Sequence, residues 1–379
     1  MDLVAGRVWV PERRPIRHVD GLLLVTMLAL ATIGLFMVYS ATHTSLETLR
    51  LDPGTYLKRQ VTWVALGTVL MLLTATFDYR FVKVYAGLAY AALLVALALV
   101  QTPLGTTVKG SQRWFELAGF QLTPSEFMKI GLIGLLAAVL SELRSKEPSL
   151  SDVFRVTVIA TIPIVLVFLQ PDVGTSMVLA AILVGVLVVA GARARHLGVL
   201  ALAAIVLLLG AFQLGVVRDY QITRLTAVFD PENAPEWATY NREQAEIAVG
   251  SGGVLGRGYL KGPQTNLDYV PEQHTDFVFT VVGEEFGFVG SMMVLLLFGV
   301  LLWRGVRIAL LSKDPFGAYV AAGVVSMLAI QVFVNVGMVI GIMPITGIPL
   351  PFVSYGGSSF LANSLAVGLL LNVHMRRFK

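Results

Sequence analysis

Ten apolar runs constrain this chain more than any motif does, each long enough to be read as a helix crossing about 30 Å of hydrocarbon at about 1.5 Å per residue. They fall at residues 21–41, 61–77, 84–100, 127–143, 154–169, 173–192, 197–215, 277–303, 319–342 and 358–373. Hydrocarbon offers no water to an unpaired backbone, so such a chain reads as an all-α polytopic membrane protein with ten transmembrane helices. The overall balance agrees: of 379 residues 56% are hydrophobic and 14% charged, with a mean hydropathy of +0.77.

A leader at residues 1–20, with Arg13, Arg14 and Arg17, precedes the first run. No small-residue cleavage site follows, and the run exceeds a signal-peptide core, so it is read as an uncleaved span with a cytoplasmic amino terminus. Ten spans then put both termini inside. This topology places about 17 Lys and Arg in the cytoplasm against about 5 in the short outer loops. About 5 more lie in a long extracytoplasmic loop, residues 216–275, between spans seven and eight, which the positive-inside rule does not count. The net charge of +4 and pI near 9.3 come from these dispersed groups, so no nucleic acid partner is implied. No internal repeat or soluble domain boundary interrupts residues 21–379, read as one membrane domain.

Zero cysteines exclude a disulfide framework and a thiol nucleophile. His18, His43, His196, His274 and His374 never stand at zinc-ligand spacing, so no metal ligand set is assigned.

Polar chemistry gathers in the outer segments. Pro271-Glu272-Gln273-His274-Thr275-Asp276-Phe277-Val278-Phe279 runs straight into the eighth span. An acid at a span mouth costs several kcal/mol unless it is used or paired, about 2.5–3.5 kcal/mol for Asp at mid-helix, so Asp276 is the catalytic candidate. Its neighbours Phe277 and Phe279 are expected to raise its pKa. Glu284 and Glu285 lie two to three turns deeper, and at least one is expected to face the interior and pair with a polar group such as Asn335.

Residues 101–126 hold Lys109-Gly110-Ser111-Gln112-Arg113-Trp114 and end in Pro124-Ser125-Glu126, a span opening in which Glu126 and Lys129 share a helical face and pair. The long loop contains an amphipathic helix at residues 235–249, with Trp237, Ile247 and Val249 suited to the membrane interface. Gly250-Ser251-Gly252-Gly253-Val254-Leu255-Gly256-Arg257-Gly258 follows; without a parallel strand before it, it is no nucleotide fingerprint. Its amides, beside Arg257 and Lys261, suit either a phosphate cradle or a flexible turn. Pro344, Pro349 and Pro351 forbid continuous helix, so residues 341–359 form a broken or re-entrant element lining a cavity. Trp63, Trp114, Trp237 and Trp303 fall at span boundaries and read as an interface belt.

Together, residues 271–287, Pro124-Ser125-Glu126, Gln170-Pro171-Asp172-Val173-Gly174-Thr175-Ser176 and residues 349–359 resemble the SEDS family of bacterial cell-wall proteins, from about residue 20 to the end. Residues 344–352, with Thr346 where the division branch usually has Lys, resemble the RodA-type elongation branch more than the FtsW-type division branch. The resemblance implies a peptidoglycan glycosyltransferase of the bacterial cytoplasmic membrane that polymerises lipid II, with Asp276 essential. It also implies a class B penicillin-binding protein as partner, whose single span would dock through lipid-facing helices, with spans eight and nine as the expected surface.

That chemistry needs a base for an acceptor hydroxyl and cations for a departing lipid pyrophosphate. Asp276 fits the base. Arg113, Lys129, Arg224, Arg257 and Lys261 are the candidate cations, each alternatively an anchor to anionic membrane lipid. Glu126 would orient Lys129, and His274 would bind sugar or cap the eighth span. Thr275, Ser354, Tyr355 and Ser358 complete the substrate-binding candidates. No cofactor is implied beyond a divalent cation, Mg²⁺ or Mn²⁺, to which Asp172 or Asp276 could contribute a ligand alongside the phosphates. Two rival readings stay open: a flippase carrying a lipid-linked precursor, and a non-catalytic scaffold activating the penicillin-binding partner.

Overall fold

The computed structural model describes residues 19–108, 111–117, 120–143, 147–213, 215, 219–230 and 233–377. The leader arginines Arg13, Arg14 and Arg17, His18, Lys109, Gly110 and the first residues of the long loop lie outside them. Each apolar run is a helix: α1 (Gly21–Thr48), α2 (Thr55–Thr76), α3 (Tyr79–Leu99), α4 (Pro124–Ser141), α5 (Leu150–Leu169), α6 (Val173–Val189) and α7 (Ala194–Gln213). The long loop carries α8 (Asp219–Phe229), α9 (Glu236–Gly252) and α10 (Pro263–Asn266), and α11 (Val278–Leu310), α12 (Pro315–Val339) and α13 (Gly357–Arg376) complete the chain. Seven of these, α1, α3, α4, α5, α11, α12 and α13, are long and apolar enough to cross a membrane, and α6 and α7 are shorter apolar helices. Residues 101–126 hold a feature the apolar pattern did not announce: strands β1 (Thr106–Val108), β2 (Ser111–Leu117) and β3 (Phe120–Leu122) pair antiparallel in that order.

The bundle has a centre and a rim. α13 packs on α2, while α12 packs on α4, α6 and α11. Small residues allow this closeness: Ile133 of α4 meets Gly323 of α12, and Phe360 of α13 lies over Gly67 of α2. On the rim, Phe81, Val84 and Leu88 of α3 and Phe154, Val158, Ile162 and Val165 of α5 repeat every three to four residues yet stay exposed. A face of that kind belongs in lipid. Trp237 and Trp303 fit an interface position by their exposure, whereas Trp63 is packed inward between Phe120 and Gly357.

Charged groups define one end of the bundle. Asp20 caps α1 through Leu23 N at 3.1 Å and receives Arg304 Nε of α11 at 2.9 Å, with His374 of α13 beside it. Arg376 reaches Asp78 at 3.2 Å, and the Tyr79 hydroxyl donates to Asp314 at 2.7 Å. The start of α1, the α2–α3 turn, the α11–α12 turn and the end of α13 therefore share a side, and the sheet, α9, α10 and the candidate site lie at the other.

The glycine-rich stretch after α9 is neither a phosphate cradle nor a flexible turn. α11 breaks at Gly287 (φ 64°, ψ −158°), and the freed backbone pairs with this stretch. Arg257 N and Gly258 N donate to Glu284 O and Glu285 O, both at 2.9 Å, while Phe288 N and Val289 N donate to Gly253 O and Val254 O. These backbones approach so closely that a Cβ on Gly252 would overlap Gly283 O, and one on Gly256 (φ 82°) would overlap Glu285 O. Gly256→Val should therefore cost on the order of 3 kcal/mol through overpacking and backbone strain, read as a lowered thermal midpoint in detergent. An unchanged midpoint would contradict this packing.

Candidate active site

The segment at residues 340–356 builds the floor of the site. It enters the bundle as expected, because Gly34, midway along α1, touches the Phe352 and Val353 carbonyls, and Gly174 at the start of α6 meets Thr346 O and Ile348. Its turns are held from within and without. Leu350 N donates to Ser354 Oγ at 2.8 Å, and Gln60 Nε2 of α2 donates to Ser354 O at 3.2 Å. Asn335, fully buried on α12, donates through one Nδ2 to Ile348 O at 2.7 Å and to Asp276 O at 2.8 Å.

Asp276 thus reaches the floor through its own backbone. Its N donates to Glu272 O at 3.1 Å in the turn ahead of α11, and its side chain is half-buried over Gly347. Gly347 is at φ 73°, and a Cβ there would stand 3.2 Å from Asp276 Oδ2. Glycine thus serves twice at this position, for conformation and for clearance. Phe277 and Phe279 are buried beneath the acid, as expected of apolar neighbours.

His274 and Tyr355 are joined by a 2.8 Å bond from Tyr355 N to His274 O. Their rings form a trio with Tyr56 of α2, at centroid separations of 4.9 Å (Tyr56–His274), 5.1 Å (Tyr56–Tyr355) and 5.7 Å (His274–Tyr355). The N-cap residue of α11 is Phe277, and His274 stands three residues ahead of it within this ring cluster. Burial pushes the Tyr355 hydroxyl above the ordinary phenol range, with the positive charge of Arg59 pulling the other way. Thr275 Oγ1 donates to Glu272 O at 3.2 Å.

The other candidates are distributed differently. Arg113 on β2 donates through Nε to Gln170 O at 2.8 Å and through Nη2 to Pro171 O, with Nη1 3.5 Å from Asp172. It ties the sheet to the end of α5. Asp172 caps α6 through Thr175 N and Thr175 Oγ1, both at 3.0 Å. Glu126 and Lys129 form the expected pair at 2.7 Å, with Lys129 only 1% exposed. Ser358 accepts from Thr123 N and donates to Gln121 O, fastening β3 to α13. Arg224 lies 5.7 Å from the Tyr220 ring, and Arg257 and Lys261 are exposed beside the break in α11.

Glu284 and Glu285 are both interior, but neither pairs with Asn335. Glu284 accepts Gln264 N at 2.7 Å, Thr265 N at 2.9 Å and Thr265 Oγ1 at 2.6 Å, while Glu285 accepts Ser40 Oγ and Leu260 N. Both acids bind residues 260–265 of the loop to the bundle. A further pair, Arg242–Glu246 at 2.7 Å on α9, sits against Gly341. Asp172 is committed to its cap and to Arg113. Among the described residues, no three His, Asp or Glu side chains converge.

The sequence reading does not single out Tyr56 or Gln60, and it names Asn335 only as a partner for Glu284 or Glu285. Asn335 stands at mid-run in an apolar helix, a position where a buried amide needs partners, and that was the available signal. Tyr56, Arg59 and Gln60 read as an ordinary polar helix start.

The arrangement offers a half-buried carboxylate at the mouth of the bundle, held through its backbone, with three aromatic rings alongside. It suits abstraction of a proton from a hydroxyl next to a charged leaving group. A sequence profile of the FtsW/RodA/SpoVE family, described as cell cycle protein, matches residues 20–379. Stage V sporulation protein E of Bacillus subtilis is 40% identical over 363 residues, covering 93% of this chain and 96% of the relative. Peptidoglycan glycosyltransferase MrdB of Escherichia coli is 35% identical over 362 residues, covering 95% and 94%. Among solved structures, a chain from a study of polymerization and crosslinking by a peptidoglycan synthase complex superposes with a TM-score of 0.79 at 31% identity, covering 95% of this chain and 99% of that one. The rod shape determining protein RodA of Thermus thermophilus gives 0.70 at 30% identity, covering 95% and 98%.

Proposed function

This chain belongs to the FtsW/RodA/SpoVE family and is a peptidoglycan glycosyltransferase; we propose that it polymerises lipid II into glycan strands at the outer face of the bacterial cytoplasmic membrane during cell elongation, with Asp276 as the general base. The observation that carries this reading is the placement of Asp276, half-buried over Gly347 and pinned through Asn335 to the broken segment. Asp276 takes the proton of the acceptor sugar hydroxyl as that oxygen bonds to the anomeric carbon of the donor. The bond from that carbon to the lipid pyrophosphate breaks, and the electron pair leaves with the phosphate oxygen. A single base suffices because the donor brings its own good leaving group, and inversion follows from one direct displacement.

In this reading α2, α6 and α7 join the seven long helices to make ten spans. Both termini are cytoplasmic, beside the Asp20–Arg304 and Asp78–Arg376 cluster, and the Asp276 end is extracytoplasmic. The partner is a class B penicillin-binding protein whose span packs on the outward faces of α11 and α12, where Phe288, Val289, Met293 and Phe333 are exposed.

The test supplies the purified protein, together with a partner that has no polymerase of its own, with lipid II, and looks for glycan strands by gel. In parallel, vesicles containing the protein and labelled lipid II are assayed for transbilayer movement. Strands without accelerated movement support the reading; movement without strands supports a carrier and overturns it.

Asn335 is the positioning residue for Asp276. Asn335→Ala removes both carbonyl contacts, and a displacement of about 1 Å at a reacting group costs on the order of 10² in rate. The expected result is a fall in kcat toward that size with KM for lipid II nearly kept. A rise in KM alone would show that Asn335 acts on binding instead.

A further inference from the structure

Resting on the reading of Asp276 as the base, we infer that Gln331 is a second positioning residue, which fixes the Asn335 amide through one buried water beneath the floor of the site. Asn335 spends both protons of its Nδ2 on carbonyls, one on Ile348 O at 2.7 Å and one on Asp276 O at 2.8 Å. Two acceptors at one end of the amide set which way it faces, so Oδ1 points away from them. That oxygen is buried and meets no protein donor among the described residues. A buried acceptor in that position calls for a donor of its own.

Gln331 stands where one can be held. It precedes Asn335 by four residues, one turn and about 6 Å deeper on the same face of α12. Both side chains are 0% exposed, and neither Oε1 nor Nε2 of Gln331 has a protein partner among the described residues. An amide left bare in the middle of an apolar helix is costly, and the two amides do not bond each other directly. Thr346, two residues ahead of Ile348 in the broken segment, brings a third group of this kind, because its Oγ1 is also buried and unpartnered.

The donor set selects the occupant. Gln331 Nε2 presents protons, which a metal ion would repel. A water accepts from Gln331 Nε2, donates to Asn335 Oδ1 and has a second proton for Thr346 Oγ1, about the three bonds a buried water makes. The link then runs from Gln331 through the water to Asn335, and from its Nδ2 to Asp276 O. Its effect is felt at the base, because the backbone of Asp276 sets where the carboxylate meets the acceptor hydroxyl.

The test uses the full chain with its partner. Lipid II kinetics, the thermal midpoint and hydrogen exchange over residues 274–280 and 346–350 are recorded for wild type, Gln331→Met, Asn335→Ala and the double variant. Met keeps the length of Gln331 and removes both polar atoms. Gln331→Met should lower kcat about tenfold, the size of one lost hydrogen bond, with KM for lipid II nearly kept and exchange in both segments quickened. In the Asn335→Ala background the same change should cost almost nothing more, since both act on one contact. Thr346→Val, nearly the same shape, covers the case in which Gln331→Met does not fold. It should lower kcat severalfold and lose that effect beside Asn335→Ala.

An unchanged kcat in a folded Gln331→Met overturns the inference, leaving Gln331 as core packing alone. A lowered kcat with unchanged exchange overturns it too, as does a loss of full size in the Asn335→Ala background, because Gln331 would then act without Asn335. A wild type that forms no glycan strands overturns the polymerase reading instead, and the exchange arm still decides whether Gln331 holds Asn335.

Discussion

Asp276→Asn should lower lipid II polymerisation by a factor of about 10² to 10⁴, the usual contribution of a positioned base, while leaving the protein folded. Asn has nearly the same shape, and it keeps the two backbone bonds at this position, from Asp276 N to Glu272 O and from Asn335 to Asp276 O. The loss should therefore fall on kcat. Asp276→Ala should behave the same way. Asp276→Glu keeps a carboxylate but adds a methylene where Asp276 Oδ2 already lies close over Gly347, so it too should lose on the order of 10² through misplacement. Initial rates at saturating lipid II, with the thermal midpoint and partner binding recorded for each variant, check all three. An Asp276→Asn rate within a factor of a few of wild type would remove Asp276 from the base role.

The second large effect concerns stability. Lys129 is 1% exposed and its Nζ lies 2.7 Å from Glu126 Oε2, one turn away on the same face of α4. Lys129→Met fills the volume but leaves Glu126 as an uncompensated buried charge, which costs about 3–5 kcal/mol. The double variant Glu126→Gln with Lys129→Met removes both charges together and should recover most of that loss. Thermal unfolding in one detergent measures the cycle, and a double variant no more stable than Lys129→Met would contradict the assignment. If the double variant folds but no longer polymerises, the pair also serves the substrate.

The apolar pattern made the helices legible, because a run that must satisfy its own backbone in lipid has few alternatives to a helix. Pro124 at the first position of α4 and the prolines at 344, 349 and 351 marked a helix start and a broken segment in the places where they occur. The Glu126–Lys129 pair was legible for the same local reason, since residues three apart on a helix meet. Long-range partners were not. The glycine stretch after α9 looked like a loop because its purpose lies about thirty residues away, at Gly287, whose break supplies the backbone groups it pairs with. Glu284 drew attention as a buried charge, yet its partners are the first amides of a four-residue helix that no periodicity reveals.

Around Asp276, the sequence singled out His274, Thr275 and Tyr355 because they share short motifs with it or with the broken segment. Tyr56 and Gln60 join the site only because α2 packs on α13 and so lies along residues 354–357. Asn335 shows the same limit: its two acceptors, Asp276 O and Ile348 O, are 59 and 13 residues away.

The most direct measurement is the initial rate of lipid II polymerisation by the purified protein with a partner lacking polymerase activity, wild type beside Asp276→Asn. Glycan strands are expected from the wild type and almost none from a folded, partner-bound Asp276→Asn. Equal strand formation by both would contradict Asp276 as the base, and no strands from either, under conditions that support a related polymerase, would contradict the polymerase itself.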